Sequence, residues 1–90
     1  MNKVIKFSAA WCAPCKSMKP MFEKFAEDVK DSDVEVLDLD VDENPDEASS
    51  YGVQSIPFTV FVKEDKIAKS FKGVVPTNKL LDTFKEVYGG

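Results

Sequence analysis

Two cysteines, Cys12 and Cys15, stand in the segment Trp11-Cys12-Ala13-Pro14-Cys15, and they are the only thiols in the chain. The segment falls where a short β-rich run, Lys3 to Phe7, gives way to a helical pattern, so Cys12 is placed at a helix N-terminus. Unpaired backbone N–H groups and the helix dipole lower the cost of a thiolate there. The spacing puts both cysteines on one face of the first turn, about 5–6 Å apart, within reach of a disulfide. One sulfur is then available to attack and the other to resolve. Pro14 suits the first turn, where its missing N–H costs nothing, and it stiffens the dipeptide between the sulfurs. Two other readings stand beside this one: a pair of small apolar core residues, or one half of a metal or iron–sulfur centre shared between two chains. A zinc tetrad within the chain is disfavoured, because there is no His and no further Cys.

Composition narrows the remaining chemistry. The ninety residues are sized for one domain, spanning 1–90, with 43% hydrophobic and 31% charged residues. All twelve basic residues are Lys, the net charge is −4 and the pI is near 4.7. Lack of His excludes Ser/His and Cys/His catalytic pairs and imidazole metal ligands. Lack of Arg and an acidic balance argue against nucleic acid as a partner. Nothing approaches the roughly 18 apolar residues of a membrane span. Lys6 interrupts the apolar run near the N-terminus, and Ser8 to Ala13 is shorter than a signal-peptide core of about 7–15 residues. A cytoplasmic location is therefore expected, where two cysteines point to redox or metal chemistry rather than a structural disulfide.

The elements that must hold these residues are legible as periodicities. After the strand Lys3 to Phe7, apolar Met18, Met21, Phe22, Phe25, Ala26 and Val29 recur at three- and four-residue steps, predicting an amphipathic helix from Ala13 to Val29. Pro20 lies inside it and predicts a kink rather than an end. Asp31-Ser32-Asp33 is a turn, and Val34 to Val41 reads as a strand. Asn44-Pro45 opens a short helix that Gly52 stops near Tyr51. Phe58 to Lys63 reads as a strand covered on both faces, and Glu64-Asp65-Lys66 turns it into a partner from Ile67 to Phe71. Leu80, Leu81, Phe84, Val87 and Tyr88 mark a last helix from Thr77, stopped by Gly89-Gly90. The order β-α-β-α-β-β-α implies an α/β fold with a parallel pair, a later antiparallel hairpin, and a four-stranded mixed sheet with helices on both faces.

With these residues in view, the sequence resembles the thioredoxin family over essentially its whole length. The resemblance rests on Trp-Cys-x-Pro-Cys-Lys, on Pro20 at the family's kink position, on Asp42-Glu43-Asn44-Pro45, on Ile56-Pro57 and on Gly73. It implies a thioredoxin-like fold reduced to its minimal core, with a cis Ile56–Pro57 bond that brings the Ile56 backbone beside Cys12, where a substrate strand can pair with it. It also implies a thiol–disulfide oxidoreductase acting on protein disulfides through Cys12 and Cys15, with no cofactor in the chain and a separate thioredoxin reductase or glutathione system as electron source. Trp11, Ile56, Pro57, Gly73 and Val74, with Ala13 and Pro14 of the motif, form the expected substrate rim. The protein is expected to act as a monomer. Trp11 itself has two readings, a core aromatic or a docking surface.

Three departures accompany the resemblance. The chain starts at what would be the second strand of a full-length thioredoxin. In size it matches a glutaredoxin, but neither Cys-Pro-Tyr-Cys nor a Gly-Gly glutathione motif near the last helix is found. The middle dipeptide is Ala13-Pro14 instead of Gly-Pro, and the family's potentials run from about −270 to −120 mV, so direction is open between reductant and oxidant. Finally, thioredoxins bury an Asp at the position of Lys6, paired with a Lys at the position of Asp38; here the charges are exchanged. Either Lys6 and Asp38 lie side by side beneath the cysteines, with Asp38 as proton acceptor, or both reach solvent at sheet edges. Asp38, Asp40 and Asp42 alternate along one strand face, which suits either a metal or, more simply, a solvated row. A redox-inactive binding module and a glutaredoxin-like or oxidant protein are the competing functional readings.

Overall fold

The structure, a computed structural model, describes residues 1–89. Seven elements follow one another: β1 (Lys3–Ser8), α1 (Ala13–Asp28), β2 (Glu35–Asp40), α2 (Pro45–Ser50), β3 (Phe58–Lys63), β4 (Lys66–Lys72) and α3 (Thr77–Tyr88). The sheet order is β2-β1-β3-β4. β1 pairs parallel with β2 and antiparallel with β3, and β3 pairs antiparallel with β4. The α/β class and the mixed sheet agree with the sequence reading. Gly90, half of the expected helix stop, lies outside the described residues.

The alternation of side chains across a strand builds two cores. Val4 of β1 and Phe61 of β3 point to the face covered by α1 and α3, where Met18, Phe22, Phe25, Leu80 and Val87 close over them. Ile5, Phe7, Phe58, Val60 and Val62 point to the other face, with Ala48 of α2, Tyr51 and Val53 packed against them. Phe25 joins the layers of the first core, with ring centroids 6.2 Å from Phe61 and 5.9 Å from Phe84. α1 runs through Pro20 without ending, because its buried face continues across the proline with Phe22 and Phe25.

The hairpin differs from its expected form. The turn is two residues, Glu64 and Asp65, with φ of 52° and 67°, and Lys63 pairs directly with Lys66. Such positive φ values suit a tight hairpin and usually call for Gly or Asn. Here the N-terminal segment holds the turn instead: the Glu64 N–H donates to Asn2 Oδ1 at 2.9 Å, and the Asp65 N–H to the Met1 carbonyl at 3.3 Å. β4 is longer than expected and carries an extra residue, Ala68, where the register shifts between the Phe61–Lys69 and Val62–Ile67 pairs.

Two polar side chains inside this frame lead to expectations. The Tyr88 hydroxyl, in the last turn of α3, lies 2.8 Å from the Val62 carbonyl and 3.0 Å from the Lys3 carbonyl, tying α3 to β3 and β1. Burial pushes its acid dissociation up to about 12. The unfolded chain ionises near 10, so this contribution is whole below pH ~10 and is lost as the pH climbs through the folded value. Denaturant titrations should show Tyr88→Phe less stable by about 1 kcal/mol at neutral pH, with the gap closing between pH ~10 and ~12. The Thr59 hydroxyl is fully buried and has no hydrogen-bond partner among the described residues. Thr59→Val keeps the shape and removes that polar atom, and should raise the unfolding midpoint, by about 1 kcal/mol in stability.

Candidate active site

β1 ends at Ser8, and Ala9 to Trp11 carry the chain to the start of α1. Cys12 is the N-cap residue of that helix, in an extended conformation, and its sulfur accepts the Cys15 N–H at 3.3 Å. Its carbonyl takes the Lys16 N–H at 3.2 Å, closing the first turn. No acidic residue stands in that turn, so no carboxylate of the helix's own first turn offsets its positive end beside the sulfurs. Cys12 and Cys15 are joined as a disulfide with Cα atoms 5.3 Å apart. Ala9, Val41 and Ile56 close around the pair. As a result Cys12 is only 5% exposed and Cys15 3%, so the two differ less in exposure than an open sulfur and a hidden one would.

The rim residues divide into those at the surface and those beneath it. Trp11 is 69% exposed, Val74 is exposed, and Ala13 and Pro14 lie open on the first turn of the helix. Ile56 and Gly73 are half-buried. The Pro57 side chain is fully buried, beneath the exposed part of the rim. The Ile56–Pro57 peptide is cis, and the Ile56 carbonyl oxygen lies 3.9 Å from the Cys12 sulfur. Gly73 has φ of 87°, a conformation that favours glycine, and its N–H donates to the Pro57 carbonyl at 2.8 Å.

Lys6 and Asp38 are cross-strand neighbours in the parallel β1–β2 register. The Lys6 Nζ is 3.0 Å from Asp38 Oδ2 and 5.5 Å from the centroid of the Phe22 ring. The lysine is 1% exposed, whereas the aspartate side chain is 35% exposed, so the cation forms the floor and the carboxylate the wall. The second carboxylate oxygen, Oδ1, accepts the Ser8 hydroxyl at 3.1 Å. Both residues line a cleft of about 610 Å³ that also touches Ser8, Cys15 and Lys19. Cys12 is not among its lining residues; the cleft reaches the pair from the Cys15 side.

The aspartate row resolves into three separate partnerships. Asp38 holds Lys6 and Ser8, Asp40 Oδ1 accepts the Asp42 N–H at 2.7 Å, and Asp42 Oδ2 accepts the Trp11 indole N–H at 3.0 Å. Among the described residues no group of three or more acidic, Cys or His residues is placed to hold a metal ion. Ser8 is a neighbour of the cleft that the sequence analysis did not single out. The signal available was the even spacing Lys6/Ser8 on β1 against Asp38/Asp40 on β2, which places them on one sheet face.

A family model described as Thioredoxin matches residues 1–86. A thioredoxin from Alicyclobacillus acidocaldarius is 42% identical over 77 residues, covering 86% of this chain and 72% of its own length. Thioredoxin 2 of Chlorobaculum tepidum is 35% identical over 86 residues, covering 96% and 78%. The X-ray structure of Fasciola hepatica thioredoxin superposes with a TM-score of 0.84 at 34% identity, covering 96% of this chain and 80% of that one. The bonded sulfurs at the head of α1 and the sequence likeness along nearly the whole chain therefore lead to one conclusion: the protein belongs to the thioredoxin family, as an oxidoreductase that reduces protein disulfides by dithiol exchange.

Proposed function

We propose that Cys12 is the attacking sulfur and Cys15 the resolving one. The Cys12 thiolate attacks a disulfide of the partner protein, forming a mixed disulfide and releasing the partner's other sulfur as a thiolate that takes up a proton. Cys15 loses its proton and attacks the Cys12 sulfur, forming the Cys12–Cys15 bond and releasing the partner's second thiol. Two electrons pass from this dithiol to the partner. The observation that carries this assignment is the place of Cys12 as N-cap of α1, where its sulfur receives a backbone N–H and faces the positive end of the helix. A separate reductase, fed by NADPH or by glutathione, returns the electrons. In an insulin-reduction assay Cys12→Ser should abolish activity, whereas Cys15→Ser should accumulate a mixed disulfide visible by mass spectrometry. Accumulation on Cys12→Ser instead would reverse the two roles.

Asp38 accepts the Cys15 proton through water in the cleft, and Lys6 favours the thiolate by its charge. Support comes from the cleft reaching Cys15 and from the anchoring of both Asp38 oxygens, one by Lys6 and one by Ser8. Asp38→Asn keeps an acceptor for Lys6 while removing the base. It should slow the resolving step by about tenfold or more and flatten its pH profile. A profile identical to wild type would remove Asp38 from the mechanism.

The partner's chain docks along Trp11, Ala13, Pro14, Ile56, Gly73 and Val74, pairing with the Ile56 backbone above Pro57. The protein works as a monomer, residues 1–90 forming one domain in the cytoplasm, without nucleic acid or membrane as partner. Like charges oppose the pairing of two β2 edges, which carry Glu35, Asp38 and Asp40, and of two β4 edges, which carry Lys66, Lys69 and Lys72. No helix among the described residues is long and apolar enough to cross a membrane.

A further inference from the structure

Trp11 is held in an unusual way for an aromatic ring. More than two thirds of it is exposed, so packing does little to fix its direction, and its one polar tether is the indole N–H donated to Asp42. Asp42 in turn lies beyond the end of β2, on the turn before α2. Its position is therefore set by the hydrogen bonds of that turn, and Asp40 supplies most of them. The Asp40 carbonyl accepts the Glu43 N–H at 3.2 Å, the Asn44 N–H at 2.9 Å and the Asn44 Nδ2 at 3.0 Å. Its side chain makes a different bond: Oδ1 accepts the N–H of Asp42 itself at 2.7 Å, the shortest bond in the turn. Asp40 stays anchored meanwhile, because the next residue, Val41, donates its N–H to the Ser8 carbonyl at 2.9 Å.

We infer that Asp40 is a positioning residue for substrate docking, its carboxylate fixing the Asp42 backbone so that Asp42 holds the Trp11 ring at the rim of the sulfur pair. This rests on the reading that Trp11 contacts the partner protein. The carbonyl bonds of Asp40 survive a change of side chain, so truncation there removes one restraint on residue 42 and leaves the turn its other bonds. The ring then swings more freely, and the partner must order it on binding. Docking weakens, while the exchange of sulfurs within the bound complex proceeds as before.

Trp11 is the only tryptophan, so its fluorescence reports on this ring alone. In Asp40→Ala, Trp11 anisotropy should fall and KM for oxidised insulin should rise about three- to tenfold, the factor for one lost hydrogen bond, with kcat changed less than about twofold. Asp40→Asn retains an oxygen that accepts the Asp42 N–H and should restore both readings. Anisotropy and KM equal to wild type in Asp40→Ala would overturn the inference, as would a loss confined to kcat. Trp11→Ala separates the two layers. If it raises KM while Asp40→Ala does not, the positioning role falls and docking on Trp11 stands. If it leaves KM unchanged, docking on Trp11 falls, and the role of Asp40 with it.

Discussion

The register of β1 against β2 is the constraint from which the rest follows. Side chains alternate along a strand, so a slip of one residue would send each of them to the opposite face. In the register observed, Val4 and Lys6 face α1 and α3, while Ile5 and Phe7 face α2, and all four are buried. Lys6 is the member of this set that cannot tolerate misalignment. An ammonium group withdrawn from water needs a counter-charge, and the register delivers Asp38 as its cross-strand neighbour. The same strand, having fixed its partners, ends where the chain turns into Cys12. The sulfurs are thus positioned from the sheet and not from the loop that bears them.

Exchanging the buried and outer charges has a physical consequence for the site. Removing the aspartate would leave the buried Lys6 ammonium without its counter-charge, so the sign placed on the floor is matched to the one on the wall. Here the floor is a cation packed against the Phe22 ring, and the wall is a carboxylate open to the cleft. About a third of the aspartate side chain is exposed, on the wall of the cleft. Its two oxygens are both occupied by donors from β1, which keeps it on the side of the cleft shared with Cys15.

Much of this was legible in the sequence because it depends on local pattern. The helix and strand periods, the Cys spacing and the Gly at position 73 each speak for themselves within a few residues. What was not legible depends on contacts between distant segments. The hairpin turn looked one residue longer because Glu64-Asp65 lacks the glycine of a tight turn; residues 1 and 2 supply the missing restraint. The aspartate row looked uniform, but its three members answer to Lys6 and Ser8, to a backbone N–H, and to an indole. The depth of the sulfurs also depended on tertiary packing, since Ala9, Val41 and Ile56 arrive from three parts of the chain.

The clasp made by Tyr88 joins the beginning and the end of the fold. It touches the carbonyl of Lys3, where β1 starts, and β1 then runs its whole length, about 17–20 Å, before the chain reaches the cysteines. Residues 3 and 88 therefore meet at the pole of the molecule opposite the sulfurs. Loosening this clasp would free the far end of β1 and the last turn of α3 a full strand length from the face that partners approach.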